Sequence, residues 1–237
     1  MRKFWSYVSN EKYSVGCTDQ AAYVYRKTGE EIAKVKDIKH GNRAILCPSQ
    51  DIFVVKSTGA YFAVYSLEPV SLVKKVKFSN VDCSQDDGFC FSADGKYFYN
   101  IERQKATTNS AISVYQTSTF ERVNIFLEED ERTEPSFIEC GSDGQLFVLG
   151  FLRGDNGVIK NGFVSKSGDC GLEDVRPIST DDYDYYLDFK RLELMGFTEK
   201  AREWSGFQYR GVDMTGMENR KLPLAELWEK SASLPEL

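Results

Sequence analysis

The stretch FSADGKYFYN, residues 91–100, decides the fold that we infer from this sequence. It reads as the end of one strand, a tight turn and the start of a second strand. The Asp94-Gly95 pair accepts the positive φ that hairpin turns require, and the aromatic residues that follow favour a strand. The stretch therefore predicts a β-hairpin.

Variants of this hairpin recur in phase along the chain. They are YVSNEKYSVG (7–16), LCPSQDIFVV (46–55), CFSADGKYFY (90–99) and ECGSDGQLFV (139–148). Their anchor positions are 39, 44 and 49 residues apart, and they are Val8, Cys47, Phe91 and Cys140. A second marker keeps the same phase at Val24, Val64, Val114 and Val164. Two markers in phase four times predict four structural repeats.

Each repeat holds four short apolar segments separated by turn residues. Four-stranded units that recur every 40 to 50 residues are typical of propeller blades, because each sheet buries its faces only against its neighbours. We therefore predict an all-β fold, a β-propeller of about four four-stranded blades, over residues 1–178. The predicted blades cover 4–38, 44–78, 88–127 and 137–178. The alternative is a β-sandwich of regular hairpins.

Two consecutive segments carry a resemblance to a known family. GFCFSADGKYFYNIE, followed by AISVYQTSTFERVNIF, resembles one blade of the WD-repeat superfamily of β-propellers. Val114-Tyr115 stands where that superfamily has Trp-Asp, and the Gly-His dipeptide occurs reversed as His40-Gly41. The resemblance spans residues 4–178 and implies the fold of a divergent propeller. It implies neither the superfamily's hydrogen-bond tetrad nor a particular partner.

Residues 179–237 change to a helical period, which predicts a helical C-terminal extension. Helices are expected in DYDYYLDFKRLELMGF (182–197), TEKAREW (198–204) and LPLAELWEK (222–230), and an irregular segment in GFQYRGVDMTGMENR (206–220). Apolar residues recur at helical spacing in the first and last of these. We expect the extension to pack on the propeller, where a helix would cover a blade edge, or on a partner. In the second case Trp204 and Trp228 would be the anchors.

Composition narrows the class of protein. The net charge of −6 and the pI of about 5.1 argue against a general nucleic-acid binder. No apolar run approaches the roughly 20 residues that span a bilayer, and the first residues lack the apolar core of a signal peptide. The six cysteines contain no CxxC pair. We therefore expect a cytoplasmic protein with reduced thiols.

The sequence contains few residues suited to catalysis. His40 is the only histidine, and it lies in a polar loop. No nucleophile elbow, phosphate-binding glycine loop or histidine-rich metal motif occurs. Glu139 is the only clear carboxylate on a predicted inner strand. We therefore expect no enzymatic activity, no catalytic residue, no cofactor and no metal.

Acidic loops are the remaining sign of function. The runs SNVDCSQDD (79–87) and LEEDERTE (127–134) fall on the same predicted face of the propeller. Their candidate binding residues are Asp82, Asp86, Asp87, Glu128, Glu129, Asp130 and Glu131. They would attract a basic segment of a protein partner, although a solvated rim would have the same composition.

The predicted function is accordingly a non-enzymatic protein-interaction scaffold that binds its partner through the loop face or the C-terminal helices. One alternative is a small-ligand-binding or hydrolase-type propeller that uses the central channel, since propellers host many chemistries. A second alternative is a structural subunit that completes a larger ring as a homodimer.

Overall fold

The structure is a computed structural model of the 237-residue chain. It describes residues 4, 6–18, 20–78, 88–104, 109–127, 130–154, 159–168, 171–179, 208–209, 212–213 and 223–231.

Sixteen strands form four antiparallel sheets of four strands each, in chain order. Sheet I contains β1 (Ser6–Ser9), β2 (Tyr13–Thr18), β3 (Ala21–Arg26) and β4 (Glu31–Val35). Sheet II contains β5 (Gly41–Leu46), β6 (Ile52–Ser57), β7 (Tyr61–Leu67) and β8 (Val70–Lys77). Sheet III contains β9 (Phe89–Phe91), β10 (Tyr97–Arg103), β11 (Ser110–Gln116) and β12 (Glu121–Phe126). Sheet IV contains β13 (Thr133–Cys140), β14 (Leu146–Arg153), β15 (Ile159–Ser167) and β16 (Leu172–Ile178).

The four sheets span residues 6–35, 41–77, 89–126 and 133–178, close to the blade bounds expected from the sequence. The predicted fold class, a WD-like β-propeller of four-stranded blades, is confirmed. The chain divides into two compact units, residues 1–79 with 187–221 and residues 80–186 with 222–237. Sheets I and II belong to the first unit and sheets III and IV to the second.

Sheets I and II share a buried apolar core. Strand β5 contacts β1 and β2. Val15, Cys17, Val24, Phe53 and Val55 are all inaccessible to solvent, which is the burial expected where two blades stack face to face.

Sheets III and IV pack through strand β13, which contacts β9, β10 and β11. Gly88 allows a close approach here, because a Cβ at this position would lie 2.5 Å from the carbonyl oxygen of Ser136. The Ile101 face of sheet III therefore turns toward sheet IV, and the Phe98 face turns away from it.

The second sequence marker has a structural cause. In every sheet the pairing of the third and fourth strands shifts register directly after the marker residue, which is Val24, Val64, Val114 or Val164. A β-bulge of this kind increases the local twist of an edge strand. The recurring valine thus marks a recurring bulge.

The predicted Asp-Gly turns are also present. Gly95 and Gly144 have φ values of 69° and 87°, in the left-handed region that favours glycine. Asp94 and Asp143 each accept a hydrogen bond from the backbone N–H two residues later, at 3.0 Å in both turns. These Asx interactions fix the turns.

The C-terminal region contains one described helix, α1 (Leu224–Ser231), within the third segment predicted to be helical. The predicted helices in 182–197 and 198–204 lie outside the described residues. The segment expected to be irregular contains a short antiparallel pair, β17 (Gln208–Tyr209) with β18 (Val212–Asp213). Tyr209 and Val212, which pair across the two strands, are residue types that favour strands. No described helix is long and apolar enough to cross a membrane.

Candidate binding groove

A groove of about 580 Å³ lies between sheets III and IV. Sheet III contributes Tyr97, Tyr99, Val114, Val123, Asn124 and Phe126, and sheet IV with its turns contributes Asp143, Gly144, Gln145, Leu146, Ser167 and Gly168. This volume is within the range of about 300–1,000 Å³ that is usual for ligand sites.

The groove combines buried apolar residues in its floor with polar groups and large exposed side chains at its margin. Val114, Phe126 and Leu146 are buried, whereas Tyr97 is 42% and Val123 is 53% exposed. A valine in a half-buried sheet normally packs against the protein core, whereas Val123 is exposed. Exposure of an aromatic and an aliphatic side chain beside a concave surface is a feature of binding sites.

Hydrogen bonds hold the sheet IV side of the groove in place. The Gln145 side-chain amide donates to the carbonyl oxygens of Leu146 and Ser167, at 3.0 and 3.1 Å. It thereby links the β13–β14 turn to the end of β15. The Gly168 N–H donates to the carbonyl of Gly171 at 2.9 Å and closes the next turn. This margin is therefore preorganised, which lowers the entropic cost of binding.

Two carboxylates give this end of the groove a negative potential. Asp143 is exposed and lines the groove. Asp94 lies on the neighbouring turn and pairs with Lys96 at 2.9 Å. Burial raises the pKa of the half-buried Cys140 thiol, and the charges of Asp143 and Asp94 raise it further. Asp143 forms no ion pair with the described residues.

Most of the acidic residues predicted to bind a partner lie outside the described residues: Asp82, Asp86, Asp87, Glu128 and Glu129. Asp130 is described and organises its own loop, because its carboxylate accepts hydrogen bonds from the N–H groups of Arg132 and Thr133 and from the Thr133 hydroxyl. Glu131 is exposed. On sheet IV the groove is lined by the β13–β14 and β15–β16 turns, at the end of β13 opposite to this loop.

Of the two tryptophans predicted as anchors, Trp204 lies outside the described residues and Trp228 is on α1. The Trp228 side chain is buried against sheet IV, 9% exposed. Two cations lie over its ring, the Lys166 ammonium at 3.9 Å from the ring centroid and the Arg176 guanidinium carbon at 3.5 Å. The Phe147 ring is also in contact, with a centroid distance of 6.2 Å.

Charges on sheet IV match the dipole of α1. The Glu139 carboxylate accepts a hydrogen bond from the Leu224 N–H at the helix start, at 2.7 Å. The Arg176 guanidinium donates to the Trp228 carbonyl near the helix end, at 3.0 Å. Negative charge at a helix N-terminus and positive charge at its C-terminus stabilise the helix. Glu139, the carboxylate that the channel alternative required, therefore contacts α1.

Sheet III contains a buried polar network on the face away from sheet IV. Glu102 Oε1 accepts hydrogen bonds from the Tyr115 hydroxyl at 2.7 Å and from the Asn100 side-chain amide at 3.0 Å. Glu102 and Asn100 are fully buried. Burial and the charge of Glu102 raise the pKa of Tyr115. The Tyr115–Glu102 bond ties β11 to β10 within the blade.

The remaining sites of possible chemistry are sparse among the described residues. Cys17, Cys47, Cys90 and Cys140 form no disulfide with one another. Burial raises the pKa of Cys17 to about 12, so this thiol is unreactive at neutral pH. No cluster of three or more His, Cys, Asp or Glu side chains suited to a metal ion occurs in the described ranges. His40 lies in the β4–β5 connection with a φ of 54°.

Sequence reasoning did not identify the groove, because its two sides are joined only by the packing of sheet III on sheet IV. A signal was nevertheless present in KYFYN (96–100), where Tyr97 and Tyr99 alternate with the buried Phe98. Successive side chains of a strand point to opposite faces of the sheet, so consecutive aromatic residues place rings on both faces. One set of rings is then expected on a surface that a ligand or another part of a protein covers.

No family model matches the chain, and no curated protein does. Similar solved structures include hydrazine synthase of Kuenenia stuttgartiensis, with a TM-score of 0.57 and 14% identity over 71% of this chain and 51% of that one. They also include the WD40 domain of Neurospora crassa Pan2, with a TM-score of 0.53 and 11% identity over 74% of this chain and 52% of that one. The chain thus spans about half of each structure. At such low identity the likeness shows the propeller fold alone.

Proposed function

We propose that this chain is a non-enzymatic propeller-type interaction scaffold that binds an extended peptide segment of a protein partner in the groove between sheets III and IV. The observation that carries the proposal is the open groove of about 580 Å³ beside the exposed Tyr97 and Val123. Exposed aromatic and aliphatic side chains at a preorganised concave surface are the usual centre of a protein–peptide contact.

The topology of sheet III favours an extended ligand. Strand β12 is the last strand of the sheet, so one row of its backbone groups faces away from β11. A peptide can add to such an edge as a further strand, and its alternate side chains then enter neighbouring pockets. Val123 and Phe126 of β12 line the groove next to this edge.

Charge favours a basic residue in the ligand. Residues 80–186 contain 9 Lys and Arg against 20 Asp and Glu. Asp143 presents one of these carboxylates in the groove itself. A ligand with Lys or Arg beside its apolar side chains would be attracted by the long-range field and fixed by Asp143.

The test is selection of ligands from a displayed library of random 12-residue peptides on the immobilised chain. We expect enrichment of peptides that combine an aromatic or aliphatic residue with Lys or Arg. The double variant Tyr97→Ala/Val123→Asp should bind the selected peptides at least about tenfold more weakly, because it removes the apolar contact and adds a charge. The single variant Asp143→Asn should lower the affinity for basic peptides less, about threefold.

Val175→Asp is the matched control. Val175 is also an exposed valine on an outer strand, 39% exposed on β16, and it does not line the groove. This variant should bind like the unchanged chain. Equal binding by the groove variant and the control, or failure to enrich any peptide family, would refute the proposal.

A further inference from the structure

We infer a second binding site, independent of the groove, in the first unit. Four lysines, Lys36, Lys39, Lys75 and Lys77, form an exposed basic ridge on sheets I and II, and the ligand that fits this ridge is an acidic segment of a protein partner.

The charge balance of this part of the chain is the reverse of the overall balance. Residues 1–79 contain 13 Lys and Arg against 7 Asp and Glu, although the whole chain has a net charge of −6. The four ridge lysines are all exposed. None of them forms an ion pair with a described carboxylate, whereas the exposed Lys12 in the same unit pairs with Asp51 at 3.2 Å. Among the described residues, the positive charge of the ridge is therefore not compensated by ion pairs.

Tyr61 brings the β4–β5 connection and β8 together, because it contacts the Lys39 backbone and the Lys75 ammonium. Its hydroxyl accepts a hydrogen bond from the Lys39 N–H at 2.9 Å and donates to the Lys39 carbonyl at 3.0 Å. The Lys75 ammonium lies 4.3 Å from the centroid of the Tyr61 ring. Lys77 is the cross-strand partner of Tyr61 in the β7–β8 register, and Lys75 points to the same face as Lys77.

The connection between β4 and β5, which carries Lys36 and Lys39, is held rigidly. The Ser57 hydroxyl donates to the Lys39 carbonyl at 2.7 Å, and the Thr58 N–H donates to the His40 carbonyl at 3.1 Å. Ile38 anchors the connection in the core at 1% exposure. His40 adopts a left-handed φ of 54°, which is uncommon for residues other than glycine and is often found at functional sites.

Asp37, in the same connection, forms no ion pair with a described lysine. The Lys75 ammonium bonds to the backbone carbonyl oxygen of Asp37, at 3.1 Å, and leaves the charge of the ammonium unpaired by a carboxylate. Like charges on neighbouring segments repel one another, so a ligand with several carboxylates gains more here than at a single exposed lysine.

The chemistry of the ridge favours carboxylates over nucleic acid. All four side chains are ammonium groups, which act as point charges, and none is the forked guanidinium that binds phosphate through two parallel hydrogen bonds. A long polyanion would also extend into the field of a chain that is acidic overall. A short peptide rich in Glu or Asp matches the ridge and avoids this repulsion.

The experiment measures fluorescence anisotropy of a fluorescein-labelled 12-residue peptide made of Glu-Glu-Ser repeats, on the full chain at low and at physiological salt. We expect binding that weakens as salt is added. The variant Lys75→Gln/Lys77→Gln, which keeps the side-chain stems, should lower the affinity about tenfold. Tyr61→Phe keeps the ring but loses both bonds to Lys39, and should lower the affinity about threefold.

The controls distinguish binding at the ridge from non-specific electrostatic attraction between the peptide and the protein. Lys27→Gln, at an exposed turn position of the same unit, should bind as the unchanged chain does, and a Gln-Gln-Ser peptide should not bind. Equal affinity of the ridge variant and the Lys27 variant would overturn the inference. Tighter binding of a single-stranded RNA oligomer or of anionic vesicles at the ridge would overturn the choice of ligand. A concentration-dependent doubling of the protein's mass that the ridge variant abolishes would also overturn the choice of ligand, since the ligand would then be a second copy of this chain.

Discussion

Replacement of Trp228 by alanine tests how α1 is held on sheet IV. The indole is 9% exposed and contacts Lys166 and Arg176, so the substitution removes nearly all of a large buried side chain and two cation–π contacts. Removal of a buried Trp or Phe typically costs about 3–5 kcal/mol, and each cation–π contact contributes about 0.5–1 kcal/mol. We expect the free energy that holds α1 on sheet IV to fall by about 4 kcal/mol. If that free energy is smaller than about 4 kcal/mol, the helix should detach completely.

The assay is native-state hydrogen exchange of the α1 amides. A loss of about 4 kcal/mol accelerates exchange up to roughly a thousandfold, and at least a hundredfold is expected for the amides of Leu227 to Ser231. Strands β14 and β15 should keep most of their protection, because their other face still packs on sheet III.

Two matched variants test whether the loss of protection results from removal of the Trp228 ring. Trp228→Phe retains an aromatic side chain, and it removes an indole N–H that is buried without an acceptor among the described residues. It should therefore cost about 1 kcal/mol or less. Glu229→Ala changes the exposed neighbour on the same helix and should leave exchange unchanged. Unaltered protection of α1 in Trp228→Ala would refute the packing described for this helix.

Three further predictions concern single hydrogen bonds. Tyr115→Phe leaves the buried Glu102 carboxylate with one donor fewer and should lower the free energy of unfolding by about 1–3 kcal/mol in urea titration. Glu139→Gln weakens the contact with the start of α1 and should lower the protection of the helix by about 1 kcal/mol without shifting the peptide affinity of the groove. The hydrogen bond to Glu68 and then burial raise the pKa of Tyr13 to about 12, so the stabilisation is complete below about pH 10 and is lost as the pH rises toward 12. Urea titrations across that range should therefore show a steeper fall in stability for the unchanged chain than for Tyr13→Phe.

Each of these three predictions has a result that would contradict it. Unchanged stability of Tyr115→Phe would mean that Glu102 does not depend on the phenol. A Glu139→Gln variant with the full protection of α1 would show that the carboxylate does not stabilise the helix. Parallel stability curves for Tyr13→Phe and the unchanged chain above pH 10 would mean that this phenol has an ordinary pKa.

The repeated hairpins were predictable because their signals are local. Asp94-Gly95 and Asp143-Gly144 encode turns within two residues, and the side chains on either side alternate with the period of a strand. The four phase-marking valines were predictable as a pattern, and their cause, a bulge that follows each of them, required the strand pairing.

The groove and the docking of α1 could not be predicted in the same way, because both depend on contacts between distant residues. Gln145 closes one side of the groove through a bond to Ser167, 22 residues away, and Glu139 meets the Leu224 N–H across 85 residues. The acidic loops could be predicted from composition, since charged residues are identified directly in the sequence. Composition did not indicate that the Asp130 carboxylate forms hydrogen bonds within its own loop, which depends on the loop's conformation.

The central claim, that the groove between sheets III and IV binds a peptide, is tested most directly by methyl NMR. A chain labelled at its Val and Leu methyl groups is titrated with a peptide selected from the library. The account predicts saturable shifts at Val114, Val123 and Leu146, with little change at Val55 and Val64 in sheet II. Shifts confined to methyl groups outside the groove, or no saturable shift at all, would contradict it.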